Sequence, residues 1–300
     1  MGISDIEKLF GFKNKIKWGA SFKIISYHLF GIWWIWHYAF PAKLLTILFL
    51  PVMYIISGKG ITCGVHRLFT HKCYKVKTPL KIYLLLCYVA AGQNPIYQWI
   101  RDHRLHHKFS DTNADPHNAN RGFFFSHIGW LMTVKNEEVI KEGKKIDMSD
   151  IENDEIIMFF NRNSTILNSI FCFVIPTLTG ILLWKEDWKC AVAWQCFIRF
   201  LLVFHGELTV NSLAHIHGYT PYNKKIIPKQ NKLVSTITFG EGWHNYHHTF
   251  PFDYKAAEFI DMLSFSTSLI KWFEKKGWAY DLKEASPEMA SCSTTTTLDL

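Results

Sequence analysis

Residues 92–129 read GQNPIYQWIRDHRLHHKFSDTNADPHNANRGFFFSHIG, and three closely spaced histidines lie near their centre. These are His103, His106 and His107. If the run is helical, offsets of three and four residues place all three imidazoles on one face, converging on one point. Neutral imidazole is a common metal ligand, so the stretch predicts a metal site. The competing interpretation is a basic or simply exposed patch of histidines, and the rest of the chain decides between the two.

Three further histidine groups occur elsewhere in the chain. HRLFTH occupies residues 66–71, NSLAH residues 211–215, and HNYHH residues 244–248. With the central triplet they supply nine of the 15 histidines: His66, His71, His103, His106, His107, His215, His244, His247 and His248. A zinc site needs only three or four protein ligands, so nine imidazoles predict two metal ions. Imidazole also suits iron, and a cage without carboxylate or thiolate ligands is more typical of a redox pair than of a hydrolytic site.

The composition favours a membrane over an aqueous environment. Hydrophobic residues make up 49% of the chain and aromatic residues 16%, with 12 tryptophans, which is high for a soluble enzyme. The formal net charge is +8, but the basic residues are scattered and no nucleic-acid-binding module is recognisable. We therefore expect a membrane surface as partner, and no nucleic acid.

Four apolar segments are candidates for crossing a bilayer: residues 24–40, 44–65, 166–184 and 190–210. The first is at the short limit of length for a span. Two spans before and two after a long polar region place residues 66–164 and 211–285 on one side, together with all nine motif histidines. The lysine-rich N-terminus shares that side, so the positive-inside rule predicts a cytosolic site and cytosolic termini. Residues 286–300 are predicted to be a frayed tail.

Five motifs carry a resemblance to a known family. They are HRLFTH, WIRDHRLHHKFSDTNADPHN, RGFFFSHIGWL, NSLAH and GEGWHNYHHTFPFDYKAAE. The chain resembles the membrane-bound acyl-CoA desaturases of the stearoyl-CoA type, most of all the insect members, over most of residues 44–285. The resemblance implies one fatty acyl-CoA desaturase domain over residues 1–300. That domain would be an all-α membrane protein, with four transmembrane helices under a helical cytosolic cap that encloses a histidine-rich di-iron site.

The resemblance also implies ligands, partners and location. The nine motif histidines would be the ligands of two iron ions (Fe²⁺), and Asn211 would reach one of them through a water. The reaction would insert a cis double bond, at Δ9, into a saturated C16–C18 fatty acyl-CoA, using O₂ and electrons from cytochrome b5 at the endoplasmic reticulum membrane. An unactivated methylene has no acidity for a general base to use, so the cofactor carries the difficult step and the protein positions the chain.

Two groups of residues match the family's substrate contacts. Asn94, Arg101, Asp102 and Lys135 match contacts to the coenzyme A head group. Tyr54 and Gly58, one helical turn apart, match the far end of the acyl tunnel. The planar guanidinium of Arg101 suits a phosphate or amide oxygen. A purely structural pair between Arg101 and Asp102, orienting the adjacent helix, remains an alternative.

Some positions depart from the family pattern. Glu207 and Leu208 replace a usual Thr-Trp pair shortly before Asn211, and Val134 replaces a basic residue. Arg199 lies about 12 Å earlier on the same helix as Glu207, at 1.5 Å per residue, which is too far for direct contact. We therefore expect Glu207 to face the polar mouth of the substrate channel, and Arg199 to turn inward or pair with other groups. These departures predict an altered choice of substrate.

Two alternatives to a desaturase remain open from the sequence. One is a membrane hydroxylase of fatty acyl chains with a similar di-iron site. The other is a non-enzymatic metal-binding membrane protein, such as a transporter. A transporter should hold its ligands near the middle of the membrane, whereas these histidines lie outside the predicted spans, so this alternative is less favoured.

Overall fold

The computed structural model describes residues 14–257 and 264–289, and the described chain is mainly helical. The predicted tail therefore lies outside the described residues from residue 290 onwards, as do the first 13 residues of the N-terminus. The main helices are α1 (Trp18–Tyr38), α2 (Leu44–Thr70), α3 (Thr78–Ala90), α4 (Ile96–Phe109), α5 (Ser164–Leu183), α6 (Trp188–Ile216) and α7 (His244–Thr249).

Three of these helices are long and apolar enough to cross a membrane. They are α2, α5 and α6, with 27, 20 and 29 residues. Each corresponds to one of the predicted spans, but α2 and α6 continue further than the hydropathy of the sequence indicates. The last part of α2 is a buried π-helix, Gly60–Thr70, and α6 runs on to Ile216. These polar extensions carry His66 and His215 beyond the apolar segments, so both histidines lie on rigid helices.

Helix α1 corresponds to the predicted first span, but it begins at Trp18 rather than at residue 24. It is not among the three apolar helices. Its many Trp, Tyr and His residues lower its hydropathy, although Trp and Tyr suit a membrane interface. Its Phe22, Leu29 and Trp36 side chains are 73%, 64% and 86% exposed. It packs along α6, where the indole of Trp34 donates to the backbone oxygen of Lys189 at 3.0 Å. The fourth span stays a prediction.

The remaining elements surround the ends of these helices. The other helices are Ala119–Arg121, Phe125–Gly129, Trp130–Met132, Glu137–Gly143, Ser149–Glu152, Glu155–Arg162, Lys232–Thr238 and Phe265–Lys275. Two short strands, β1 (Lys75–Val76) and β2 (Ala279–Tyr280), pair antiparallel. Helices α2, α3 and α4 share one buried apolar core, to which Leu84, Leu85 and Ile100 contribute. This core positions the π-helical part of α2 beside α4.

Two packing details fix the approach of these helices. A Cβ atom at Gly60 would lie 2.1 Å from the backbone nitrogen of Tyr88, so only glycine allows α2 to approach α3 this closely. Arg199 of α6 is fully buried and donates from Nη1 to the backbone oxygen of Ala90 at 3.0 Å and to Ser57 at 3.3 Å. It therefore turns inward, as expected for a guanidinium in an apolar helix.

Candidate metal centre

The first group of histidines draws on three helices. His66 lies near the C-terminal end of α2, and His71 directly follows this helix. Helix α4 provides His103 and His107, and α7 provides His247. One ring nitrogen from each lies within 4.8 Å of all the others. The Nε2 atoms of His66 and His107 are each 3.0 Å from Nε2 of His247. We call these residues the five-histidine cluster.

The second group lies next to the first. It contains His106 of α4, His215 of α6, and His244 and His248 of α7. Nε2 of His244 is 3.0 Å from Nε2 of His215 and 3.1 Å from Nε2 of His248. Nε2 of His106 is 3.3 Å from Nε2 of His248. We call these residues the four-histidine cluster.

The structure brings all nine motif histidines together, but it divides them differently from the expectation for α4. His103 and His107 belong to one cluster and His106 to the other, so the three imidazoles do not converge on one point. In a helix His106 and His107 point about 100° apart, because the helix has 3.6 residues per turn. The HNYHH motif divides the other way. Its middle histidine, His247, belongs to the five-histidine cluster, and His244 and His248 belong to the four-histidine cluster.

Three of the histidines contact a carboxylate through Nδ1, the ring nitrogen that does not face the cluster. Nδ1 of His66 is 3.0 Å from Glu241, Nδ1 of His106 is 2.8 Å from Asp115, and Nδ1 of His215 is 2.8 Å from Asp111. A carboxylate only accepts hydrogen bonds, so each Nδ1 carries a proton, and in the neutral imidazole this leaves the lone pair of Nε2 for the cluster. The spacing of the histidines does not identify these three carboxylates as their partners. The one signal for them in the sequence is their position inside two of the five motifs.

Glu241 is itself held by a buried cation. The guanidinium of Arg67 forms an ion pair with Glu241 and donates to the backbone oxygen of Tyr254 at 2.8 Å. Burial alone would raise the pKa of Glu241, but Arg67 and His66 outweigh it and lower this pKa to about 2. Glu241 is therefore ionised at neutral pH and can accept a hydrogen bond from Nδ1 of His66.

Burial also decides the protonation state of the other cluster residues. It lowers the pKa well below the ordinary 6.5 for six histidines: His71, His103, His107, His244, His247 and His248. Neighbouring histidines lower these pKa values further. The imidazoles are thus neutral at physiological pH, which is the form that binds metal ions.

The arrangement of nitrogens fits metal ions. Nε2 of His71 and Nε2 of His103 are buried and have no hydrogen-bond partner among the described residues. Where Nδ1 carries the proton, as in His215, Nε2 presents its lone pair to the other Nε2 atoms of the cluster, the nearest 3.0 Å away on His244. Several nitrogen atoms grouped in this way can bind one cation together. An all-imidazole donor set suits iron, copper, nickel or zinc rather than magnesium or calcium.

An apolar cavity reaches the clusters. Tyr54 and Gly58, the predicted far end of the acyl tunnel, line it together with His66, His103 and His244. A Cβ atom at Gly58 would have no neighbour within 4 Å, so the glycine faces open space. Asn211 also lines this cavity and belongs to neither cluster.

A second, more polar cavity adjoins the first and contains part of the predicted head-group site. Asn94 and Asp102 line it. Asp102 accepts from Nη2 of Arg101 at 3.2 Å and forms an ion pair with Lys135. The structural pairing that we considered for Arg101 and Asp102 is therefore present, and Lys135 extends it. All four predicted residues lie in one region, two in the cavity wall and two bound to Asp102.

Comparison with known proteins agrees with this site. A family model described as fatty acid desaturase matches residues 40–258. An acyl-CoA Delta-9 desaturase of Acheta domesticus is 46% identical over 93% of this chain and 78% of its own length. An acyl-CoA Delta(11) desaturase of Spodoptera littoralis is 46% identical over 89% and 80%. A stearoyl-CoA desaturase of Mesocricetus auratus is 45% identical over 82% and 69%. The chain therefore belongs to the fatty acid desaturase family, as its five motifs predict.

Proposed function

We propose that this chain is an O₂-dependent acyl-CoA desaturase that inserts a cis double bond, at Δ9, into a saturated C16–C18 fatty acyl-CoA. The observation that carries the proposal is the apolar cavity, which has Tyr54 and Gly58 at one part of its wall and histidines of both clusters at another. An alkyl chain in this cavity would pass directly beside the candidate metal ligands. Relatives named for Delta-9 and for Delta(11) are about equally similar to this chain, so the Δ9 position rests on the resemblance to the stearoyl-CoA type.

The cofactor in this proposal is a pair of iron ions, one held by each cluster. When bound, iron supplies with O₂ the oxidising power that cleavage of an unactivated methylene C–H bond demands. The protein's own contribution is to keep six of the imidazoles neutral by burial and to orient the other three through Asp111, Asp115 and Glu241. Asn211, in the cavity wall beside both clusters, would contact one iron through a water.

The substrate would lie across both cavities. Its acyl chain would occupy the apolar cavity, with the methyl end towards Gly58. Its head group would bind at the polar side, where Asn94, Arg101, Asp102 and Lys135 are grouped. Exclusion of water from the apolar cavity would protect the reaction from unproductive side reactions.

The membrane arrangement in this proposal has four spans, α1, α2, α5 and α6, with the other helices forming a cytosolic cap at the endoplasmic reticulum. The exposed apolar and aromatic side chains of α1 and its packing along α6 support its assignment as a span. Electrons would come from cytochrome b5 on the same face of the membrane.

Expression in a desaturase-deficient yeast tests the proposal. We expect growth without added unsaturated fatty acid, and gas chromatography of methyl esters should show cis-Δ9 C16 and C18 products. Hydroxylated products in place of alkenes would point to the hydroxylase alternative. Absence of any new product from an iron-loaded, correctly inserted protein would overturn the proposal.

A further inference from the structure

Four residues line both cavities and so mark the place where the two meet. They are Trp99, His103, Glu207 and Asn211, and we call this place the throat. The two cavities differ in character, because the first is bordered by Tyr54, Ile61 and Val203 and the second by Asn94, Asp102 and His117. A substrate that occupies both must pass the throat.

Glu207 is the acidic residue of the throat, and only one of its two carboxyl oxygens is satisfied. Oε1 accepts from the indole Nε1 of Trp99 at 2.8 Å. Oε2 is enclosed and has no hydrogen-bond partner among residues 14–257 and 264–289. Arg199, the nearest cation on the same helix, donates instead to backbone oxygens of Gln195 and Ala90. Glu207 therefore does not form an ion pair with Arg199.

An unpaired carboxyl oxygen in an enclosed site costs free energy, and the cost depends on what fills the throat. A chain of methylenes in the throat leaves Oε2 without a partner. A chain that bears a hydroxyl beside Glu207 supplies the missing hydrogen bond. Sites that hold a polar group for a substrate hydroxyl reject analogues lacking the hydroxyl strongly, because the protein group is then left unpaired.

On the basis of the proposed function, we propose that the throat selects fatty acyl chains bearing a hydroxyl group close to the carbons that face the histidine clusters, with Oε2 of Glu207 as its hydrogen-bond partner. Glu207 is then a specificity-determining residue that contacts the substrate. The threonine usual at this position in the resembled family is shorter and cannot place a second oxygen at the same point. The change to Glu207 therefore adds a polar partner at the throat without altering the nine histidines.

A bound water is the competing partner for Oε2. The polar cavity adjoins Glu207 and could supply one, and a water that stays in place would satisfy the oxygen whichever chain is bound. The two possibilities differ in outcome, because a retained water predicts equal affinity for plain and hydroxylated chains. Binding measurements therefore decide between them.

The experiment compares pairs of acyl-CoAs of equal chain length, one saturated and one with a hydroxyl moved stepwise along the chain. Dissociation constants are measured by calorimetry on the purified iron-loaded protein. We expect at least one hydroxyl position to bind about tenfold more tightly than the saturated chain. In Glu207→Leu the preference should reverse, because the apolar side chain leaves the hydroxyl unpaired. Glu207→Thr, the usual family residue, should remove the preference and serves as a second variant should Glu207→Leu fail to fold.

Trp99→Phe is the matched control. It removes the indole N–H that binds Oε1 but leaves Glu207 and an aromatic ring in place. The hydroxyl preference should persist in this variant. Its loss would mean that the preference requires the hydrogen bond between Trp99 and Oε1, so that Oε2 is not sufficient for selection, which would overturn the proposal as stated.

The same measurements separate this inference from the proposed function. Equal affinity of the wild-type protein for every pair, with normal desaturation of the saturated chain, would overturn the inference and leave the desaturase proposal intact. Binding of neither chain, together with the absence of product, would count against both.

Discussion

The imidazoles of His107 and His248 stack face to face, with ring centroids 4.1 Å apart and planes inclined by 14°, although the two residues belong to different clusters. Each residue ends an HxxHH motif, one in α4 and the other in α7. The stack therefore brings the ends of the two motifs into contact at the boundary between the clusters. The two clusters therefore touch along this stack while their members remain separate.

This arrangement predicts separable loss of metal. His107→Ala removes one of the ligands of the five-histidine cluster, so the purified variant should retain about one metal ion of two and lose turnover. Metal analysis with circular dichroism checks this, with the helical signal expected to remain. His37→Ala, a change at an exposed histidine outside both clusters, is the control. Loss of all metal from His107→Ala would instead show that the clusters bind as one unit.

The carboxylates behind the histidines predict a second effect. Asp115 accepts from Nδ1 of His106 at 2.8 Å and from the backbone nitrogen of Asp111 at 2.7 Å. Asp115→Asn keeps the shape but weakens the orientation of His106, so metal affinity of the four-histidine cluster should fall about 10–100-fold. Competition with a chelator measures this. Asp147→Asn, at an exposed position, should change nothing. An equal fall of metal affinity in Asp115→Asn and Asp147→Asn would contradict the role of Asp115 in orienting His106.

Burial of neutral histidines predicts a pH dependence of stability. The six cluster histidines with lowered pKa stay neutral in the folded protein, whereas unfolded histidine binds a proton below its ordinary pKa of 6.5. The unfolded state therefore binds more protons below pH 6.5, and stability falls as the pH decreases through that value. Each histidine contributes up to about 1.4 kcal/mol per pH unit.

Thermal denaturation in detergent checks this expectation. The melting temperature should change little above pH 6.5 and fall steeply below it, since protons also compete with metal for the imidazoles. His107→Gln should make the fall shallower, and His37→Gln should leave it unchanged. A melting temperature that rises on acidification would contradict the assignment of neutral imidazoles.

The sequence predicts which histidines come together better than it predicts their division into two clusters. Spacing and resemblance single out the nine histidines that the structure groups, because HxxHH motifs and the family pattern are local. The sequence does not predict that His106 separates from His103 and His107, since this depends on which helices pack on either side of α4. For the same reason the sequence does not identify Asp111 and Asp115 as partners of the histidines. Their partners are residues whose proximity only the tertiary fold creates.

The membrane helices show a related limit. Apolar runs predict α2, α5 and α6, but they do not predict how far α2 and α6 continue as polar helices towards the clusters. Packing of the buried π-helix Gly60–Thr70 against α3, where Gly60 approaches Tyr88, stabilises that continuation. Composition alone carries no information about such a contact.

The tunnel assignment leads to a prediction about chain length. Gly58 lines the apolar cavity, and its Cβ position has no neighbour within 4 Å. Gly58→Leu should place a branched side chain in that space and shorten the cavity without a clash with the backbone of another helix. The products should shift towards shorter acyl chains, with only a modest loss of rate on the shortest accepted substrate. Profiles of fatty acid methyl esters from yeast expressing each variant measure the shift.

The control for this prediction is Gly19→Leu. Gly19 also has open space at its Cβ position, but it lies at the start of α1 and does not line the cavity. The same change of side chain there should leave the chain-length profile as in the wild type, which separates filling of the cavity from a general effect of adding leucine to a helix. If Gly58→Leu and Gly19→Leu give the same profile as the wild type, Gly58 does not face the end of the acyl chain, and the methyl end must lie elsewhere in the cavity.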